Sequence, residues 1–342
     1  MTRLPSLTAA RFFAALVVVG VHLAPLVPHD GTAHVLGRGG VGVSFFFVLS
    51  GFVLAWSTRE GDTPGRFYRR RFARVWPLHA VTWAVAVVAI GVVNRGGVPT
   101  GGQLLALPLL QSWVPDSDVY FAANGVAWSL SCEAFFYALF PLAIVLLRDR
   151  PLPVLAAVAA GCTAVVLALA TLDPTASDLQ QWAGSVFPVA RLPEFVLGVV
   201  AACAVRRGWR PPLGLGTVVA LTAAALVLVV LVPAGPAQAA CTVVPFALLV
   251  PALALADVDG RRTGLRSAWL VRLGEWSFAL YLCHQILFNV ADELLADPAL
   301  RLAAGLLLVP LSVAVSGVLH VLVERPAERR LRGAQRRSEL AL

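Results

Sequence analysis

Several stretches of this chain run for most of the width of a bilayer without a charge. Leu152–Ala170 and Val218–Val232 are the clearest. A helix needs about 20 mostly apolar residues to cross a hydrocarbon core. Inside that core every backbone N–H and C=O must be satisfied within the protein, so such stretches are helical. Of the 342 residues, 58% are hydrophobic and 13% charged, against roughly 45–50% and about 25% in soluble domains. The two soluble domains that length alone would suggest are therefore excluded. The sequence predicts an all-α, polytopic membrane bundle.

Punctuation by Pro, Gly and Arg divides the apolar blocks into ten spans, near 8–27, 40–57, 74–93, 124–147, 152–171, 185–205, 213–232, 237–256, 273–292 and 302–323. The block Gly102–Trp113 is too short to cross and reads as a re-entrant or interfacial helix. The expected organisation is one transmembrane domain over 1–323 and a short Arg-rich cytoplasmic tail over 324–342. No long-period repeat is evident.

All 27 basic residues are Arg, and the net charge is +8. A nucleic-acid partner would need that charge gathered on one soluble face, whereas here it is scattered between apolar blocks. With the N-terminus inside, 22 of the 27 arginines fall in cytoplasmic segments and only Arg38, Arg95 and Arg301 outside. That asymmetry is the positive-inside pattern, and it places both termini in the cytoplasm. Counting Gly102–Trp113 as a full span would put the later Arg-rich loops outside. Arg11 and His22 interrupt the first apolar block, so it is read as a span and not as a cleaved signal peptide. The five cysteines are widely spaced, without a C-x-x-C pair, which suits buried thiols better than a disulfide or a metal site; no metal is expected.

Ionisable side chains within spans are costly and become the functional candidates. Arg11 and His22 share the first span. Their eleven-residue separation returns to within ~20° of the same helix face some 16 Å further on. A neutral imidazole there can take a proton from a hydroxyl, while the bland alternative is a snorkelling anchor and a histidine bonded to a carbonyl. Arg69, Arg70, Arg71 and Arg74 in "GRFYRRRFARVWPLH" can hold phosphates as guanidinium forks do, or else mark topology and bind lipid. Glu133 in the fourth span needs a cationic partner from another span. Arg191 and Glu194 can neutralise each other at i,i+3. His284 lies near mid-membrane in the ninth span, with Cys283 pointing away from it. His79 and His320 read as polar packing residues. In the second span Gly42, Ser44, Ser50 and Gly51 read mostly as sites of close helix packing.

In order along the chain, Arg11 with His22, "FFFVLSGF", "RRRFARVWPL", "WSLSCEAFFY", "RLPEFVLG", "YLCHQ" and "VERPAERR" resemble the acyltransferase-3 family of membrane-integral acyltransferases. The resemblance covers nearly the whole chain and implies a ten-span helical fold. It further implies transfer of an acyl group, commonly acetyl, from acyl-CoA to a hydroxyl or amine. By that resemblance His22 and Arg11 form the critical pair, with Arg71 and Arg74 handling the donor. Ala134 stands where the family often has a second acidic residue, and Cys283 where it often has Trp.

The expected function is thus an integral-membrane O-acyltransferase with His22, Arg11 and Glu133 as catalytic candidates. Arg71, Arg74 and Arg70 are the candidates for binding acyl-CoA. His22 would act as general base or as transient acyl carrier. Family analogy points to a cell-surface carbohydrate or lipid-linked sugar as acceptor, with a small secondary metabolite such as a macrolide next. The expected location is the cytoplasmic membrane of a bacterium. Two rivals remain at this level: a transporter or flippase using Arg11, His22 and Glu133 as a relay, and a non-catalytic partner in a glycan-assembly complex.

Overall fold

The computed structural model describes residues 3–28, 31–59, 61–93 and 100–330. Arg95 and the tail arginines Arg332, Arg336 and Arg337 lie outside the described residues. Among the described residues ten long helices make up the bundle: α1 (Pro5–Leu23), α2 (Val41–Ser57), α3 (Pro64–Val93), α4 (Trp128–Leu147), α5 (Leu152–Leu169), α6 (Pro188–Arg206), α7 (Leu215–Leu231), α8 (Pro236–Val258), α9 (Ala268–Leu294) and α10 (Pro298–Leu319). No strand occurs among the described residues.

Eight of the ten are long and apolar enough to cross a membrane. The other two coincide with the remaining expected spans. Helix α7 has 17 residues, or about 26 Å at 1.5 Å per residue. Helix α9 has 27 but is less apolar, carrying Arg272, Glu275 and a polar face from His284 to Glu293. Leucines and valines such as Leu142, Val227, Leu307 and Leu322 point outward. Such a surface suits lipid and would be a liability in water. The chain is a multi-pass membrane protein.

The segment after α3 does not cross. Over the block 102–113 it is helical in Gly101–Ala106 and in the single turn Gln111–Trp113. Between them Leu109 takes a left-handed backbone (φ 63°) that ends the helix. Its carbonyls are satisfied by buried donors from neighbouring helices. His79 bonds Ala106 O at 3.0 Å, Trp83 bonds Gln103 O at 2.7 Å, and Ser131 bonds Leu109 O at 2.6 Å. Irregular backbone at membrane depth is tolerated under that condition, and it gives His79 its packing role.

Helices α2 and α6 form the buried centre. Gly51 and Gly198 face each other's backbones: a Cβ on Gly51 would run into Phe195 O, and one on Gly198 into Val48 O. Gly274 of α9 meets Thr8 O of α1 in the same way. Lipid is as apolar as leucine, so this close fit, not a hydrophobic gain, drives association.

Cross-helix polar contacts sort the loops to two ends. At one, Asp257 accepts from Ser6 N (2.8 Å) and Ser6 Oγ (2.7 Å), placing a carboxylate at the N-terminus of α1. There too Arg210 grips Asp259 with two bonds, and Arg206 donates to Ala55 O. The hydrogen bond from Arg210 holds the exposed Asp259 carboxyl below its usual range. At the other end Arg301 pairs with Asp292 and His34 bonds Val230 O. The described loop arginines gather overwhelmingly at the first end. Gly198→Val should cost at least the ~1–3 kcal/mol of ordinary overpacking. It is expected to lower the unfolding temperature in detergent, whereas Gly216→Val, at a position with open space around it, should leave that temperature unchanged.

Candidate active site

Five helices enclose a cavity of about 170 Å³ toward the Arg-rich end. Helix α1 brings Arg11, α2 brings Ser50, α3 brings Arg71 and Arg74, and α4 brings Glu133 and Tyr137. Phe278 and Tyr281 of α9 complete the wall. The carboxylate of Glu133 accepts from Tyr137 Oη at 2.8 Å, one helical turn away. Ser50, Arg11 and Arg71 also surround it. The Arg71 guanidinium sits 6.0 Å from the Tyr137 ring centroid, and that of Arg74 lies 5.6 Å from Phe278. Arg74 is also held by Glu324 and Glu328, the latter at 3.0 Å. Residues just beyond α10, at the start of the short Arg-rich segment from 324, therefore pack onto the cavity's Arg74.

His22 lies elsewhere. It is eleven residues along α1 from Arg11, about 16 Å at helical rise, and does not line this cavity. Its ring packs against His284 of α9, with centroids 5.1 Å apart and planes at 58°. The Nδ1 of fully buried His284 lies 2.9 Å from Leu280 O. A carbonyl only accepts, so that nitrogen carries the hydrogen. In the neutral ring Nε2 is then an acceptor, and it is buried without a partner. Tyr281 connects the two regions. It lines the arginine cavity, its ring lies 6.2 Å from His284, and its hydroxyl bonds Ser129 at 2.7 Å and Val126 O at 3.1 Å.

The remaining candidates fall into place around these groups. Arg70 turns away from the cavity to pair with Asp62 at 2.9 Å. Burial acts to raise the Asp62 carboxyl, but the Arg70 hydrogen bond and nearby charges hold it below its usual range. Arg191 and Glu194 form a buried pair at 2.9 Å, extended to Ser44 at 3.0 Å. His320 meets Glu324 at 3.2 Å across a π-turn. Cys283 faces Ser312 O at 3.6 Å, away from His284. Of the small residues in α2, Gly51 serves packing, while Ser44 and Ser50 face charged groups. Tyr137, Tyr281, Glu324 and Glu328 were not singled out by sequence reasoning. The i,i+4 spacing of Glu133 and Tyr137 was a usable signal; nothing local joins Glu328 to Arg74.

Charged side chains of this membrane bundle thus converge in a cavity near one end, and a histidine pair lies apart from it between α1 and α9. The family model described as an acyltransferase domain matches residues 4–321. The chain belongs to this acyltransferase-3 family and is an acyltransferase. Acyltransferase MdmB of Streptomyces mycarofaciens is 42% identical, with 97% of this chain and 93% of the relative aligned. Exopolysaccharide production protein ExoZ of Rhizobium meliloti (strain 1021) is 28% identical over 91% of this chain and 96% of its own length. No solved structure matches the chain.

The histidine pair generates a test. His284→Gln keeps an acceptor near the position of Nε2, whereas His284→Asn keeps only the bond to Leu280 O. The Asn variant should lose at least about tenfold in kcat, or ~1.4 kcal/mol, with the Gln variant retaining most of it. Equal rates for the two would show that His284 serves packing alone.

Proposed function

We propose that this protein moves an acyl group, in the first instance acetyl, from acyl-CoA to a hydroxyl of a carbohydrate or other small acceptor at the cytoplasmic membrane of a bacterium. The observation that carries this reading is the convergence of Arg11, Arg71 and Arg74 with Glu133 in one cavity near the Arg-rich end. The positive-inside asymmetry supports a cytoplasmic position for that end, where acyl-CoA is found. The lining suits such a donor in kind: guanidinium forks match phosphate oxygens, and Phe46, Phe47 and Leu49 offer an apolar wall to an acyl chain. Arg11 and Arg71 face the carboxylate of Glu133. At Arg74 a phosphate has to displace Glu324 or Glu328, so that subsite opens by exchange of one anion for another.

When bound, the thioester supplies an activated acyl carbon. His22 takes the proton of the acceptor hydroxyl as the new C–O bond forms and the C–S bond breaks, then returns that proton to the departing sulfur. The alternative role, direct attack by the imidazole, uses the same position. In either role His284 Nε2 can accept the second N–H of His22 and hold its tautomer, as an orienting acceptor does for a catalytic histidine. Glu133, tied by Tyr137, balances Arg11. The carbohydrate acceptor rests on the family and on the similarity to the exopolysaccharide production protein.

The reading is tested with the purified full-length chain, acetyl-CoA and a panel of hydroxylated acceptors, measuring CoA release with a thiol reagent. His22→Ala should lower turnover by about 10²–10⁴, and full turnover in that variant would sink the assignment. Arg71→Ala should raise KM for acetyl-CoA roughly 10–100-fold, as expected for losing a charge-assisted hydrogen bond worth about 1.5–3 kcal/mol. Arg70→Ala, outside the cavity, should leave KM unchanged.

A further inference from the structure

A second, larger cleft of about 950 Å³ opens at the end opposite the Arg-rich one. It is bounded by the outer parts of α1, α2, α4 and α8, by the loop before α8 and by the turn leading into α6. Its floor nearly meets the arginine cavity. On α2, Ser44 lines the cleft and Phe47, one turn on, lines the cavity; on α4, Trp128 lines the cleft and Ser129 the cavity. Between them stands an edge-to-face contact of Phe47 with Trp128, centroids 6.4 Å apart. The two hollows thus approach one partition from opposite sides.

The cleft is built for a polar occupant. Gln238 lines it at 4% exposure, with its Nε2 buried and lacking a partner. The Ser185 hydroxyl, also on the wall, is buried and equally without a partner. Each orphaned group costs about 1–3 kcal/mol until something bonds to it, so a guest that reaches them gains from both. Ser185 sits in a π-turn, Trp182–Val186, closed by Phe187 N to Trp182 O at 2.8 Å. Such turns recur at functional sites. The turn is anchored by Trp182 Nε1 on Ser112 O at 2.9 Å. Gly235 (φ 105°) packs so close that a Cβ there would stand 3.2 Å from Ser185 Oγ.

The lining also selects the chemistry. No Asp or Glu occurs among the described residues lining the cleft, so a cation is not favoured; the charge of Arg191 is already matched by Glu194, and Arg38 on the wall lies 3.5 Å from His34. Amides and hydroxyls that both donate and accept, beside the face of an indole, suit a neutral ring rich in hydroxyl groups. We propose that this cleft is the acceptor subsite and takes such a ring, a sugar unit, from the side opposite the donor. This inference rests on the acyl-transfer reading above and names the place of its second substrate.

The test titrates the detergent-purified full-length chain with p-nitrophenyl glycosides of the gluco, galacto, manno and rhamno series by calorimetry. The same glycosides are then used as acceptors in the CoA-release assay. At least one should bind saturably, and Ser185→Ala and Gln238→Leu should each weaken it tenfold or more. Because those groups lack partners in the free protein, the unfolding temperature of each variant should be unchanged or higher. That combination separates a binding role from a structural one. Equal glycoside affinity in the variants, or no saturable binding by any glycoside, overturns the assignment. Saturable binding without CoA release would sink the acyl-CoA reading and leave the cleft standing. Glycoside-dependent CoA release whose KM is unmoved by both variants would do the reverse.

Discussion

A guanidinium cannot stay inside a bilayer without an anion to answer it, and Arg11 of α1 sets that requirement for the whole bundle. The carboxylates of Glu133 on α4 and Glu328 beyond α10 lie close enough for their charge to act on it. Arg71 and Arg74 of α3 bring further charge to the same place and draw on the same carboxylates. Four elements distant in sequence are thereby drawn around one cavity. Tyr137 and Ser50 add hydroxyls around the carboxylate, as buried ionic groups need if they are to be tolerated.

The glycine contacts at α2 with α6 and at α1 with α9 do complementary work. They bring backbones close, so the helices carrying the polar groups are held rigidly by their own main chains. Rigid supports keep catalytic side chains in register better than loops do. They also leave two hollows, one near each end, separated by little more than Phe47 and Trp128.

Much of the fold was legible from apolar block length and the positions of Arg. The ten long helices coincide with the ten blocks, because a lipid environment makes hydropathy a nearly sufficient rule. The non-crossing segment near 102–113 was readable from its length. Its broken form was not, since the left-handed Leu109 depends on donors supplied by His79, Trp83 and Ser131 from other helices. At the site, Arg11, Arg71, Arg74 and Glu133 stood out because charge in a span is rare. Arg70 stood out equally yet turns to Asp62. Adjacent residues on a helix point about 100° apart, and only packing decides which of them faces inward.

The sequence by itself determined that this chain lives in a membrane, roughly where its helices begin and end, and which side chains carry unusual chemistry there. Hydropathy and charge are properties of single residues or short runs, so they survive in one dimension. Tertiary structure alone decided that Glu324 and Glu328 close on Arg74. It also decided that His22 meets His284 and not the arginines, and that Gln238 and Ser185 wait unpartnered in one cleft. Those relations join residues tens to hundreds of positions apart. They depend on how closely helix backbones approach, which no local pattern encodes.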